Sequence, residues 1–294
     1  MQSRPHTKQL LHGNALKMRL FKNINGLLPM PEAILKAQTI LTNPNSSFEE
    51  LAKIIETDHE ITLKILNVVN SAYYSPGKEV SSVRQACVML GLKVIAEIIM
   101  AAGTSNIFNR TLSAYRMSPK GLWRHSLATA LGSRKIAKAV HPAAANEAFL
   151  SGLFHDVGKL ILDEQIFSRN DAFVNYLGDT NLHFEAEKKI LGFDHSAVAS
   201  ELCKRWKFPP SVTKAIRLHH NINPHQVDDL TYILHAADNL TKMSDAANSG
   251  GCTRNFLADP VLDFLALDDD DIQDIMVEVD ESVSQISTEI FGTA

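Results

Sequence analysis

The stretch Ala148-Phe149-Leu150-Ser151-Gly152-Leu153-Phe154-His155-Asp156-Val157-Gly158-Lys159-Leu160 decides how this chain is read. Its apolar residues recur at helical rather than alternating spacing. A helix starting near Asn146 delivers His155-Asp156 near its end. Neighbouring helical residues point about 100° apart. The pair can therefore reach one ion only near the end of a helix, where other helices converge on it. Gly158, just after, supplies such an end.

Working outward, further histidines and an aspartate fall at comparable places. Ser118-Pro119 predicts a helix start, because Pro at the first helical position loses no needed hydrogen bond. That helix runs past His125 toward His141-Pro142. His195 follows Asp194 at another start. His219-His220 ends the helix beginning near Pro210, and Asp238 lies on the helix from Asp228, one turn after His235. Each candidate comes from a different helix or helix end, as a metal site in a bundle core needs. The set His125, His155, Asp156, His195, His219, His220 and Asp238 offers imidazole and carboxylate without thiolate. Such donors suit Fe, Mn, Zn or Ni and argue against a structural zinc cage. Seven ligands are too many for one tetrahedral ion and suit two divalent ions bridged by a carboxylate. The competing reading is hydrogen-bonded core histidines plus a surface pair at His219-His220, since no short zinc-type motif is matched.

The remaining segments are helical in period as well, so the fold class is all-α. Ser47 with Glu50 makes a capping-box pattern before Leu51, Ile54 and Ile55, and Ser82 with Gln85 repeats it. Asp58 caps a helix carrying Ile61, Ile65, Leu66 and Val69, which Ser75-Pro76-Gly77 breaks. Gly91 separates a short helix from an apolar one running to about Phe108. Further helices are expected from about Asn181 and after Asp268, the last with Ile272, Ile275, Met276, Val279, Val283 and Ile286 on one side. Asn248-Ser249-Gly250-Gly251 is the softest joint and sets the C-terminal helix apart from the core. The expected division is an extension over residues 1–27, a domain over 28–245 with halves 28–115 and 116–245, and an acidic helical segment over 246–294.

The chain has 294 residues, 45% hydrophobic and 21% charged, which is ordinary globular composition. A formal net charge of -4 gives no global basic field for nucleic acid. Arg4, Lys8, Lys17, Arg19 and Lys22 precede the first acidic residue, Glu32, and no Lys or Arg follows Arg254. These ends are a basic arm and an acidic partner surface, or two solvated ends that touch each other. Cys87, Cys203 and Cys252 are far apart, so a disulfide framework is not expected and a cytoplasmic location fits. No run of about 18 apolar residues predicts a membrane span, and the N-terminus lacks the apolar stretch of a signal peptide.

With these residues in view, the chain resembles the HD superfamily, and within it the HDOD domain, the HD-related output domain of bacterial signalling proteins. The resemblance runs from about Leu28 to Leu240 through Leu28-Pro29-Met30-Pro31, Ile55-Glu56-Thr57-Asp58 and Leu66-Asn67-Val68-Val69-Asn70-Ser71-Ala72. It continues through Ala86, Leu90-Gly91-Leu92, Leu122-Trp123-Arg124-His125-Ser126 and the His155-Asp156 stretch. Glu187, Leu191-Gly192-Phe193-Asp194-His195, Trp206 with Pro209, and His219-His220 complete it. The resemblance implies an HD-like helical bundle with an N-terminal helical subdomain. It implies that His125, His155, Asp156 and Asp238 hold a metal, and that His195, His219 and His220 look like the added histidines of HD-GYP phosphodiesterases. Many HDOD domains have lost part of this set; this one retains it. Two departures count the other way: Asn221-Ile222-Asn223-Pro224 stands where the Gly-Tyr-Pro motif would follow, and Ala199 stands where the family usually has Gly.

The expectation is a signalling or regulatory protein with a mono- or dinuclear site, a nucleotide or phosphoester ligand, and a signalling-protein partner. The alternative is a metal-dependent phosphohydrolase, with Asp156 at its centre and Lys159 on a substrate phosphate. Lys159 reads equally as a solvated lysine near a helix C-terminus; Glu187 orients a ligand or joins the metal shell, or is a helix-surface carboxylate. Asn70-Ser71-Ala72 shapes a pocket or is turn chemistry. Trp123 and Trp206 are read as core. Helix-turn-helix binding of nucleic acid at Gly91 is disfavoured, because the helix Leu92 to Phe108 is apolar.

Overall fold

Apolar residues at helical spacing over nearly the whole chain give a helical bundle, with no sheet among the described residues. The structure, a computed structural model, describes residues 11–43, 45–48, 51, 59–71, 74, 79–180, 182–247 and 259–292. The first helices are α1 (Gly13–Lys22), α2 (Ile24–Leu27), α3 (Glu32–Thr42), α4 (His59–Val69), α5 (Val83–Leu90) and α6 (Leu92–Phe108). Then come α7 (Gly121–Val140), a 3-10 turn (Pro142–Ala144), α8 (Ala145–Phe154), α9 (Lys159–Phe167), α10 (Asn170–Thr180) and α11 (His183–Leu191). The last are α12 (His195–Arg205), α13 (Pro210–Leu218), α14 (Asp229–Ala247), α15 (Asp259–Leu265) and α16 (Asp269–Phe291). Among the described residues the extended pairing is an isolated antiparallel bridge, Leu112 to Met117. No described helix is long and apolar enough to cross a membrane.

Helix α6 is apolar nearly all round and buries Ile95, Ile98, Ile99 and Met100. A helix of that kind belongs inside a protein; α3 and α4 pack on it. Trp123, on α7, is buried and donates from its indole N–H to the Ala101 carbonyl on α6 at 2.9 Å. Trp206 is buried too. Helix α8 lies tightly on α7 because of Gly152: a Cβ there would stand 2.6 Å from the Ala130 backbone nitrogen. Helix α14 packs on the same α7, and α13 on α8 and α12.

Several expectations are corrected. The helix after Ser118-Pro119 starts at Gly121, because Gly121 N–H donates to the Ser118 carbonyl at 3.0 Å and Lys120 adopts a left-handed φ of 70°. Gly158 is not a stop: its φ is -61° and α9 follows at once. Glycine is needed there because a Cβ would sit 2.2 Å from the His195 carbonyl oxygen. Helices α9 and α10 were not anticipated. Helix α16 is not set apart from the core, since it packs on α4, α7 and α14 and buries Val279, Val283 and Ile286. The Phe291 ring meets Trp123 edge-on at 4.9 Å. The acidic end also pairs with α7, through Glu278 and Lys135.

Capping follows the residue types. Ser82 accepts from Gln85 N–H at 3.2 Å, although the Gln85 side chain reaches Ser81 and not Ser82. Asp268 and Asp271 form a capping box on α16. Asn70 spans Val80, accepting from its N–H at 2.7 Å and donating to its carbonyl at 2.9 Å, which is turn chemistry. The Ser47–Glu50 pattern, the 55–58 motif with its Asp58 cap, the 75–77 break, Asn181, Arg4, Lys8 and the 248–251 joint lie, wholly or in part, outside the described residues.

Candidate metal centre

The ends of α8 and α13 fix two imidazoles by the same device. His155 follows the last residue of α8, and its Nδ1–H donates to the Gly152 carbonyl at 2.7 Å. His219 follows α13, and its Nδ1–H donates to the Ile216 carbonyl at 2.7 Å. A carbonyl only accepts, so each ring carries its proton on Nδ1 and turns Nε2 inward. Both Nε2 atoms are buried without a hydrogen-bond partner, as is Asp156 Oδ1. Orphaned buried polar atoms cost free energy, on the order of 1–3 kcal/mol each. Three of them converge in one place, which makes a donor set of the kind that suits a cation.

All seven residues singled out in the sequence are brought together. They form overlapping groups, His125-His155-Asp238, His155-Asp156-His219 and His195-His219-His220, with one donor atom of each member within 4.8 Å of the others in its group. Asp156 lies between them. Its Oδ2 is 3.4 Å from His155 Nε2 and 3.6 Å from His125 Nε2, while Oδ1 is 3.0 Å from His195 Nε2. Asp238 Oδ1 stands 3.2 Å from His125 Nε2 and 3.4 Å from His155 Nε2. His195 Nε2 and His220 Nε2 are 3.0 Å apart. That is about the spacing of two nitrogens that each lie roughly 2.0–2.1 Å from a shared ion. The donor set and the orphaned atoms thus fit a divalent cation.

Tertiary partners hold the set. Glu187, expected on a helix surface, is fully buried. It accepts from His195 Nδ1–H at 2.7 Å, from His195 backbone N–H at 2.6 Å and from the Tyr115 hydroxyl at 2.8 Å. Lys159, read as solvated at a helix C-terminus or as a phosphate ligand, is 7% exposed and opens α9. Its ammonium donates to Asp156 Oδ2 at 2.5 Å. Lys242, one turn beyond Asp238, donates to Asp238 Oδ2 at 2.5 Å. His235 Nδ1–H donates to the His219 carbonyl at 2.8 Å. Phe184 stacks on His220 with centroids 4.4 Å apart. Tyr115 and Lys242 went unnoticed in the sequence; for Lys242 the four-residue spacing from Asp238 was an available signal.

The charges divide by neighbour. Burial works against ionising Asp156, but His155, Lys159 and His195 outweigh it and hold the carboxyl well below the usual range. Burial is likewise outweighed at Asp238, by Lys242 and His125. Burial disfavours a proton on His155 and on His195; Asp156 raises both, helped by Asp238 at His155 and Glu187 at His195, and each stands at about 9. Burial pushes His125 down, and His219 and His220 well down. Titratable groups driven apart in one buried cluster mark a functional site. Burial and Glu187 push the Tyr115 hydroxyl up, so it stays a neutral donor.

The HDOD domain family model matches residues 27–222. An uncharacterized protein of Treponema pallidum (strain Nichols) is 22% identical over 208 residues, 70% of this chain, and the chain spans 40% of that protein's length. The crystal structure of an HDOD domain protein of unknown function from Geobacter sulfurreducens superposes with a TM-score of 0.69 at 22% identity, covering 94% of this chain and 97% of the other. A Shewanella amazonensis SB2B protein provisionally named a phosphohydrolase gives 0.72 at 18% identity, covering 92% and 97%. A Marinobacter aquaeolei VT8 protein provisionally named for signal transduction gives 0.71 at 21%, covering 92% and 60%. At these identities the likeness concerns the fold.

Proposed function

The chain belongs to the HDOD domain family, and we propose that it is a regulatory member whose histidine–aspartate centre holds one or two divalent ions. One observation carries the reading: Asp156 faces a different group of histidines with each oxygen, and three buried donor atoms of the set have no hydrogen bond. Satisfied core histidines would use both ring nitrogens. His155 and His219 each use one.

In this reading His125, His155 and Asp238 would hold one ion together with Asp156, and His195, His219 and His220 would hold a second. A bound divalent ion would supply Lewis acidity and a more acidic water. The chain's own residues do the positioning. The Gly152 and Ile216 carbonyls fix the tautomers of His155 and His219. Glu187, held by Tyr115, orients His195. Burial keeps solvent away and strengthens every charge interaction inside.

The regulatory reading rests on access and on the loop. His125 and Lys159, at 7% exposure, are the most open of the buried groups, and His220 alone of the seven is half-buried. That burial leaves little room for a phosphoester to reach the centre in position for hydrolysis, so binding without turnover fits better. Asn221 to Pro224 stands in place of the phosphodiesterase loop. A nucleotide or other phosphoester, or a signalling protein, is the expected partner; the Marinobacter and Shewanella names point the same way. Hydrolysis is the second reading, and the carboxylate set between two histidine groups favours it.

Elemental analysis of gently purified protein should find at least one ion per chain, and a metal-free protein would overturn the reading. Assay with added Mn²⁺ or Fe²⁺ against bis-p-nitrophenyl phosphate and a nucleotide panel separates the two versions. A flat result supports regulation. Turnover that disappears in Asp156→Ala establishes a hydrolase.

A further inference from the structure

Lys159 sits where a lysine should not. It is the first residue of α9, at the positive end of the helix dipole, where a cation is disfavoured. Only 9% of its side chain is exposed, and an unpaired buried ammonium is costly. What holds it is Asp156 Oδ2, at 2.5 Å. That oxygen is the one turned toward His125 and His155, whereas Oδ1 faces the His195 imidazole at 3.0 Å, a group that can itself become a ligand, and no lysine. The ammonium therefore occupies the carboxylate oxygen that an ion among His125, His155 and Asp238 would share.

Lys242 makes a useful contrast. It bonds Asp238 Oδ2, and Asp238 Oδ1 is the oxygen near His125 and His155. Its side chain is 45% exposed, so solvent screens its charge. The charge balance points the same way. Asp156, Asp238 and Glu187 face the ammoniums of Lys159 and Lys242. A first divalent ion already leaves the centre net positive, and a second adds to that excess.

Resting on the metal-binding reading above, we infer that Lys159 is a built-in cation that competes with one of the two ions for Asp156 Oδ2, so that the centre fills unequally. The side of His195, His219 and His220, which meets Oδ1 and no lysine, fills first. The side of His125, His155 and Asp238 fills only when the ammonium is displaced.

The test is a titration of the metal-stripped full chain with Mn²⁺, read by calorimetry and by elemental analysis after dialysis. The wild-type protein should bind one ion, and a second on the order of tenfold or more weaker. Lys159→Met should tighten the second ion by at least about tenfold. Lys159→Gln, which still donates a hydrogen bond to Asp156, serves where Lys159→Met does not fold. Lys159→Arg keeps the charge and should keep the weak second ion. Lys242→Met should shift it by less than about threefold. Unchanged or weaker second-ion binding in both neutral Lys159 variants would overturn the inference, as would two equal ions in the wild-type protein; either result leaves the metal reading standing. No binding by any of these proteins would overturn both.

Discussion

The segment from α3 to α6 and the segment from α7 to α14 bury their polar groups in opposite ways. In the first, the buried hydroxyls of Thr104 and Ser105 donate back to the Met100 and Ala102 carbonyls of their own helix. Its buried acid, Glu97, is paired with Arg134; burial still pushes that carboxyl up against the pull of Arg134. The buried hydroxyls of Ser46 and Ser71 have no partner there, but they are isolated from one another and the rest of that core is largely apolar. In the second segment six of the seven candidate ligands are buried, and three of their donor atoms are left without a hydrogen bond. The lesson is one of cost. Single unpaired hydroxyls occur in both segments and each costs little, whereas several imidazole and carboxylate atoms left unsatisfied in one convergent cluster are the costlier arrangement and the one that a ligand would relieve.

Breaking that contrast at its centre should have the largest effect. Asp156→Ala should abolish stoichiometric metal and leave the Lys159 ammonium buried without its partner. We expect the metal-free variant to lose about 3–5 kcal/mol in denaturant unfolding; full metal content in it would erase the contrast. Ile34→Ala, in the other segment, empties a fully buried site and should cost about 2–5 kcal/mol. Its metal content should be unchanged, and a loss of metal there would show that the two segments are not separable in function.

Smaller changes sharpen the picture. Glu187→Gln keeps an acceptor for His195 but removes the charge behind it. Metal affinity should fall about 10- to 100-fold, measured by chelator competition; unaltered affinity would make Glu187 a packing residue. Asp228, away from the centre, caps α14 by accepting from Thr231 N–H at 3.1 Å. Burial would raise its carboxyl, but Thr231 and Lys214 hold it below 3.8. A depressed folded-state pKa means stability that is present above pH 3.8 and lost as the pH falls through the folded value. Asp228→Ala should cost about 1 kcal/mol at neutral pH. The cost should vanish in strongly acid solution, and a pH-independent difference would mean that the cap acts by shape alone.

Much of this was legible in one dimension. Helical periodicity predicted α6, α12, α13, α14 and α16 close to their observed bounds, because period and capping residues are local properties. The seven candidate ligands were legible by chemical type, since histidines and aspartates at helix ends have few other reasons to cluster. For Glu187 the sequence leaves a surface place and a ligand-orienting place both open, because burial of a helical carboxylate depends on what packs against that face. Here the packing group is the start of α12, eight residues on in sequence but in direct hydrogen-bond contact. Lys159 and Gly158 were misread for the same reason. A lysine and a glycine after a helix suggest solvent and a stop, and only the approach of α12 turns one into a buried counter-ion and the other into a close contact.

The sequence by itself therefore determined the all-α class and the residue types of the candidate centre. The tertiary structure alone decided which oxygen of Asp156 each histidine faces, which donors are left unsatisfied, and which cation already occupies the carboxylate. Helix period and residue type are set by neighbours along the chain. Desolvation and pairing are set by groups that meet only when distant helices pack.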